Sequence, residues 1–179
     1  MANHSTPPPE TATPAKNALD EGAVLRLDDQ LCFGLYAATN AVVRAYRPLL
    51  AEIGLTYPQY LVMLVLWQDG NRPAGEIATR LHLGNNALTP LLDRLEAAGF
   101  VRRVRDPQDR RRLSIHLTEN GRTLEHRAAA VQSIVECRTG LSGGALADLR
   151  DELHALVARM AAAGVSLGEV ETPENGASA

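Results

Sequence analysis

The strongest constraint on the fold is a pair of short apolar strands that flank an arginine-rich turn and follow two short helices. Residues 100–104 and 113–117 are predicted strands, the second with alternating apolar and polar side chains, and Asp106-Pro107-Gln108-Asp109 between them supplies turn residues. Residues 73–81 and 86–98 carry apolar side chains at helical spacing, with a turn between them. This order of helix, turn, helix and basic hairpin predicts a mainly α fold with a small sheet.

Longer amphipathic helices are predicted on both sides of this segment. Apolar residues keep a three-four spacing through residues 27–49, and Pro48 is expected to kink or end the helix near its last turn. Thr118 is predicted to cap a helix that follows the hairpin, and residues 145–163 form a last helix. A small core cannot cover apolar faces of this length by itself. We therefore expect a second copy of the chain to bury them.

The two ends of the chain differ in composition from the rest. Residues 1–22 are rich in proline and residues 166–179 are acidic, and both are expected to be disordered because they have too few apolar residues to form a core. Between them, residues 23–165 form one predicted domain. Its helix–hairpin core is expected at residues 55–118, with dimerisation helices at 23–54 and 119–165.

The charge distribution indicates what this core contacts. The chain has a net charge of −3, but six arginines and two aspartates within residues 100–112 give that segment a formal charge of +4. Such a patch is typical of surfaces that meet phosphate groups, although a solvated loop can have the same composition. Together with the order of elements it predicts a winged helix-turn-helix that binds double-stranded DNA, with one helix in the major groove.

The composition argues against several other classes of protein. Two cysteines are too few for a disulfide scaffold, and the histidines lack metal-site spacing, so neither a metal nor a cofactor is expected. The longest apolar run, residues 61–67, is far shorter than the roughly 20 residues of a membrane span. The first residues show no secretory signal. We expect a cytoplasmic protein with no membrane association.

Several segments resemble a known family of regulators. Asp106-Pro107-Gln108-Asp109-Arg110-Arg111 and Leu117-Thr118-Glu119-Asn120-Gly121 are similar to the wing and the following helix start of the MarR family. The segments around Cys32 and Tyr57 more narrowly resemble the organic hydroperoxide resistance regulators (OhrR) of that family. The resemblance implies a homodimeric repressor, not an enzyme, that binds a pseudo-palindromic operator. It also implies that the repressor leaves this operator when an organic hydroperoxide oxidises a cysteine.

Cys32 is the candidate sensor. It lies close to the predicted start of the first helix, where the macrodipole favours a thiolate, and thiolates rather than thiols attack peroxides. The resemblance implies that the hydroxyl groups of Tyr36, Tyr46 and Tyr57 stabilise this thiolate. It further implies that Cys137 is the resolving thiol of a Cys32–Cys137 disulfide between subunits. Each of these residues also has an ordinary interpretation as packing on an amphipathic helix.

Helix geometry constrains how Tyr46 could take part. Fourteen residues of helix separate it from Cys32, about 21 Å along the axis at 1.5 Å per residue. Tyr46 could therefore contact only the Cys32 of the other subunit, and sensing would require the dimer.

Candidate DNA contacts lie on the second helix of the pair and in the hairpin tip: Asn85, Asn86, Thr89, Arg94, Asp109, Arg110, Arg111 and Arg112. Asparagine can read adenine edges, and Arg94 could meet guanine or phosphate. In the wing, Arg111 is the candidate for the minor groove with Asp109 orienting its guanidinium, while Arg110 and Arg112 meet phosphates or solvent.

The recognition-helix segment departs from the resemblance. Residues 83–90 lack two hydroxyl side chains of the usual pattern and have Gly84 in place of an acid, and Asp93 stands where a basic residue is common. The operator sequence therefore does not carry over from the resemblance.

Two other functions use the same residues differently. A MarR-type repressor controlled by a non-covalent small phenolic ligand would use Cys32 only as packing. A thiol peroxidase would need a base or a cation beside Cys32 and a catalytic cycle. However, no histidine lies within a helical turn of Cys32, and the basic hairpin would have no role in such an enzyme.

Overall fold

The computed structural model describes residues 25–105 and 113–166. The chain divides after Ala37 into two units. The described part of the first unit contains a 3-10 turn, Leu27–Asp29, and the start of helix α1, Leu31–Glu52. The remaining elements are α2 (Tyr57–Asp69), β1 (Arg72–Pro73), α3 (Ala74–Arg80), α4 (Asn85–Ala97), β2 (Val101–Arg105), β3 (Leu113–Leu117), α5 (Glu119–Arg138) and α6 (Gly143–Ala162).

These elements confirm the predicted mainly α fold with a winged helix-turn-helix core. The two expected strands pair antiparallel, with Arg103 opposite Ile115, and form a sheet of order β1-β3-β2. The edge strand β1, Arg72–Pro73, was not predicted because two residues with a proline carry no alternating pattern. The hairpin tip, residues 106–112, lies outside the described residues.

The core of the second unit is built around α2. Val62, Met63 and Leu66 on this helix are fully buried, and the aliphatic side chains of α3 and α4 pack into the same cluster. Full burial of each such side chain contributes about 1.5–3 kcal/mol. The burial of α2 around most of its circumference accounts for its continuous apolar sequence.

The starts of α2 and α5 follow from local chemistry. The Gln59 side-chain oxygen accepts a hydrogen bond of 2.8 Å from the backbone N–H of Thr56. The Thr118 hydroxyl oxygen accepts one of 3.0 Å from the backbone N–H of Gly121. Both interactions satisfy backbone donors that a helix start leaves unpaired, and the second confirms the predicted cap at Thr118.

Pro48 lies about one turn before the end of α1 at Glu52, which agrees with the prediction that the helix ends near this proline. Leu50, two residues after the proline, is completely buried in the core. The contacts of this side chain favour continued helix despite the backbone hydrogen bond that proline removes.

Gly121, near the start of α5, contacts both α2 and the ends of the two hairpin strands. The indole N–H of Trp67 donates a 2.8 Å hydrogen bond to the carbonyl oxygen of Gly121. Gly121 packs against the backbone of Phe100, and a side-chain methyl group at this position would overlap the Phe100 carbonyl oxygen. The glycine of the Leu-Thr-x-x-Gly segment therefore permits this close approach.

Within the described ranges, no single helix is long and apolar enough to cross a membrane. Only α1 and α2 taken together, as a bent pair, meet the length and composition criteria.

Candidate nucleic-acid interface and thiol site

The recognition helix α4 has one buried and one exposed face. Leu88, Leu92 and Leu95 point into the core. The four predicted contact residues on this helix are all exposed: Asn85, Asn86, Thr89 and Arg94. The helical spacing that buries the leucines thus presents the polar side chains to solvent.

Two of these side chains make local hydrogen bonds, which determine the donor or acceptor groups that remain for a contact with DNA. The Asn86 side-chain oxygen accepts a 2.9 Å hydrogen bond from the backbone N–H of Ala87, which leaves the amide NH₂ group as a donor. The Thr89 hydroxyl donates a 2.9 Å bond to the carbonyl oxygen of Asn85, which leaves the hydroxyl oxygen as an acceptor.

Arg103 connects the wing to the recognition helix. Its guanidinium pairs with the carboxylates of Asp93 and, at 3.2 Å, Glu96, and it donates a 3.3 Å hydrogen bond to the carbonyl oxygen of Thr89. The backbone N–H of Arg103 also donates to Glu96 at 2.8 Å. Arg103 therefore holds strand β2 against α4, and its charge is already engaged by two carboxylates.

This arrangement explains the aspartate that departs from the family resemblance. An unpaired Asp93 on the exposed face of α4 would repel phosphate, but its charge is neutralised by Arg103. In the sequence, Arg103 is one member of the basic cluster. That position alone does not distinguish an arginine that pairs with carboxylates inside the protein from one that contacts phosphate. Arg102 and Arg105, on the same strand, are exposed. Asp109, Arg110, Arg111 and Arg112 lie outside the described residues.

Cys32 is an exposed thiol in the first turn of α1. It is the second residue of this helix, where backbone N–H groups have no partners within the helix. Tyr36 lies one turn further along and is 67% exposed. Both side chains are accessible to solvent in the first unit.

The other two predicted tyrosines lie together in the second unit, with a third. The ring centroids of Tyr46 and Tyr57 are 5.4 Å apart, and Tyr60 lies at the same distance from Tyr46. Tyr60 is only 3% exposed and was not selected from the sequence, although it follows Tyr57 by three residues on α2. We call Tyr46, Tyr57 and Tyr60 the phenol cluster.

The phenol cluster is held in its protonated form. Burial raises the pKa of Tyr46 and of Tyr57 above the ordinary value for tyrosine, and it raises that of Tyr60 further. The negative charge of Glu136 on α5 also raises the pKa of Tyr46 and of Tyr60. At neutral pH these hydroxyl groups are therefore hydrogen-bond donors.

Cys137 follows Glu136 near the end of α5 and is an exposed free thiol. The Glu136 carboxylate accepts a 2.8 Å hydrogen bond from the side-chain amide of Gln132. Gln132, in the same part of α5, lines a cavity together with Tyr60 of the phenol cluster.

A cavity of about 180 Å³ lies between α2 and α5, beside the phenol cluster. Its aromatic and apolar lining comes from Tyr60, Leu64, Trp67, Ala128 and Ala129, and its polar lining from Gln68, Glu125 and Gln132. Within the described part of the chain, no three potential metal ligands lie together.

Comparison with known proteins matches residues 55–113 to the MarR family. The chain is 51% identical over 136 residues to the HTH-type transcriptional regulator TtmR of Methylorubrum extorquens, which covers 72% of this chain and 70% of TtmR. It is 35% identical over 133 residues to the organic hydroperoxide resistance transcriptional regulator of Bacillus subtilis, which covers 74% of this chain and 90% of that regulator.

Among solved structures, the fold is similar to AbfR of Staphylococcus epidermidis. Reduced AbfR bound to DNA has a TM-score of 0.63 at 34% identity, covering 75% of this chain and 94% of AbfR. AbfR has also been solved in an overoxidised form on DNA and with a disulfide formed, the latter with a TM-score of 0.56.

Proposed function

The chain belongs to the MarR family of transcriptional regulators, and we propose that it is a homodimeric repressor that releases its operator when an organic hydroperoxide oxidises Cys32. The observation that carries this proposal is the exposed Cys32 thiol in the first turn of α1. A relative that is 35% identical is a regulator of organic hydroperoxide resistance. AbfR, at 34% identity, forms a disulfide. As a DNA-binding regulator, the protein would act in the cytoplasm.

The chemistry of sensing follows from the thiolate. The Cys32 sulfur attacks the distal oxygen of the hydroperoxide, so that an S–O bond forms and the O–O bond breaks. The leaving alkoxide takes a proton from solvent and departs as an alcohol, while the sulfur is oxidised to a sulfenic acid. The Cys137 thiol of the other subunit then attacks that sulfur. This step forms the disulfide and releases water.

The dimer is supported by apolar surface that the single chain leaves exposed. Helix α6 has no buried residue, and Leu149, Leu153, Val157 and Met160 form an exposed stripe along it. A stripe at this spacing is typical of a helix that packs against another. The predicted dimerisation helices require a second copy of the chain to cover this stripe.

The phenol cluster supports a shared sensor site. Tyr46 and Tyr57 are protonated donors that sit together, and a thiolate needs such donors to remain charged. Given the length of helix between Cys32 and Tyr46, the cluster would serve Cys32 of the partner subunit. Tyr36, one turn from Cys32, would contact the same thiolate from its own helix.

DNA binding uses the exposed face of α4 and the wing. We assign base contacts to Asn85, Asn86 and Thr89, and a contact with guanine or phosphate to Arg94. The wing tip is assigned as predicted, with Arg111 in the minor groove, oriented by Asp109, and with Arg110 and Arg112 near phosphates. The operator would be a pseudo-palindrome, because a symmetric dimer presents two recognition helices about one turn of DNA apart.

The test is DNA release by one equivalent of cumene hydroperoxide, measured on DNA from upstream of the protein's own gene. Wild type should release the DNA and rebind after dithiothreitol, and Cys32→Ser should stay bound. Cys137→Ser should react and release without forming the disulfide between subunits. Retention of DNA by wild type, or release by both wild type and Cys32→Ser, would refute the proposal.

A second candidate is a repressor controlled by a non-covalent ligand, because the cavity beside Tyr60 could hold a small molecule. Its volume of about 180 Å³ is below the roughly 300–1,000 Å³ of pockets for drug-sized ligands. The largest ligand that this cavity would hold without rearrangement is therefore a molecule with a single phenolic ring. DNA release by salicylate from the Cys32→Ser variant would favour this candidate.

A further inference from the structure

Resting on the proposed placement of α4 in the major groove, we infer that Asp93 is a specificity-determining residue of the DNA interface. One oxygen of its carboxylate is held by Arg103 of strand β2, and the other accepts a hydrogen bond from the exocyclic amino group of a cytosine. Asp93 would thus add an acidic base contact to the contacts already assigned to α4.

Asp93 lies on the same face of α4 as the residues assigned to base contacts. Leu88, Leu92 and Leu95 define the buried face. Seven residues of helix make almost two turns, so Asp93 lies about 20° around the axis from Asn86 and about 10 Å along it. The Asp93 side chain is 56% exposed. A placement of α4 that brings Asn86 to the bases therefore turns the Asp93 carboxylate towards the groove as well.

Arg103 holds one side of this carboxylate. The Arg103 side chain is only 23% exposed and also binds Glu96 and the carbonyl oxygen of Thr89, so several contacts fix its position. Its Nη1 pairs with Oδ1 of Asp93. A carboxylate has a second oxygen, so Oδ2 can accept a further hydrogen bond. The ion pair thus orients the Asp93 side chain before DNA binds and reduces its repulsion of phosphate.

Attachment of strand β2 does not by itself account for Asp93. Glu96 already supplies a carboxylate to the Arg103 guanidinium, at 3.2 Å, and accepts a 2.8 Å hydrogen bond from the Arg103 backbone N–H. Glu96 is also the less exposed of the two acidic side chains, at 37%. Because ion pairs of exposed side chains contribute little to stability, the more exposed carboxylate is better explained by a contact outside the chain.

The chemistry of a carboxylate selects one base. A carboxylate only accepts hydrogen bonds, so it needs a donor at the edge of the base. In the major groove cytosine presents its N4 amino group, whereas guanine presents the acceptors N7 and O6, and thymine presents the acceptor O4. Adenine also has an amino group, but its N7 acceptor lies beside that group and repels a carboxylate. Cytosine is therefore the base that matches Asp93.

The experiment selects binding sites from a library of random double-stranded DNA with the reduced full-length protein. Wild type, Asp93→Ala and Asp93→Asn are compared. Their affinities for duplexes that carry each base at each position of the selected site are then measured by fluorescence anisotropy. Glu96→Gln is the matched control, since it changes the other carboxylate that binds Arg103 and leaves Asp93 in place.

We expect wild type to prefer cytosine at one position in each half-site by about 5-fold or more, the effect of one mismatched base pair. Asp93→Ala should lose this preference and keep the preferences at the other positions. Asp93→Asn should move the preference towards adenine, because an asparagine amide pairs with both N6 and N7 of that base. Glu96→Gln should change the affinity for all duplexes alike and keep the preference for cytosine.

Identical base preferences in wild type and Asp93→Ala would overturn the inference, because a carboxylate that acts only through its charge changes the affinity for every duplex alike. Loss of the cytosine preference in Glu96→Gln would also overturn it, since the preference would then depend on the attachment of β2. If wild type enriches no sequence, the proposed base contacts of α4 fail together with the inference. The proposed response of Cys32 to peroxide is judged separately, by DNA release from wild type and Cys32→Ser.

Discussion

Gly121 offers the sharpest test of how the wing is joined to α5. Replacement by alanine would place a methyl group over the Phe100 carbonyl oxygen, 3.0 Å from its carbonyl carbon and 3.3 Å from the Leu117 side chain. That oxygen accepts a 3.0 Å hydrogen bond from the backbone N–H of Thr118 and a 3.1 Å bond from its hydroxyl. Relief of the overlap must move backbone rather than a flexible side chain.

The cost can be worked out from these contacts. Overpacking of a filled site costs about 1–3 kcal/mol, and weakening of two hydrogen bonds adds about 0.5–1.5 kcal/mol each. Alanine returns about 1 kcal/mol through its higher helix propensity. We therefore expect Gly121→Ala to lower the free energy of unfolding by about 1–5 kcal/mol.

The assay is urea denaturation followed by circular dichroism, at one protein concentration because dimerisation contributes to apparent stability. Gly144→Ala is the matched control, since a methyl group there meets nothing within 4 Å in the first turn of α6. The control should be neutral or stabilised by up to about 1 kcal/mol. Equal stability of the two variants would refute the close approach of Gly121 to Phe100.

Three further predictions concern DNA binding and pH. Arg103→Ala should lower stability by about 1–3 kcal/mol and weaken operator binding, because the wing loses its attachment to α4; unchanged affinity by fluorescence anisotropy would contradict this. Arg94→Ala should reduce the slope of log affinity against log salt by about 1 if Arg94 meets a phosphate, and an unchanged slope would exclude that contact. The free energy of unfolding should fall as pH rises above about 10, because Tyr46, Tyr57 and Tyr60 keep protons that the unfolded chain has lost. A free energy of unfolding that does not change with pH in this range would count against the buried cluster.

Much of the fold could be predicted from the sequence because its signals are local. Thr56 with Gln59, and Thr118 before Gly121, mark helix starts through hydrogen bonds made within one turn. Gly70 and Gly99 adopt positive φ directly after helices, which glycine permits at little cost. Pro48 likewise marks the last turn of α1, which ends at Glu52, although the burial of Leu50 within that turn is a tertiary contact.

The parts of the site that escaped prediction depend on contacts between distant segments. Arg103 belongs to a visible cluster of arginines, but its role depends on the packing of β2 beside Asp93 and Glu96. Tyr60 has the same spacing as any core residue of α2. Only the approach of α1 places it beside Tyr46.

The central claim is that oxidation of Cys32 is the event that releases DNA. It is tested most directly by measuring both quantities in one sample: the fraction of Cys32 oxidised, by mass spectrometry after alkylation, and the fraction of operator released, by fluorescence anisotropy. During titration with cumene hydroperoxide the two fractions should rise together and reach completion near one equivalent per subunit. Release of DNA while Cys32 remains reduced, or full oxidation of Cys32 with the DNA still bound, would contradict the claim.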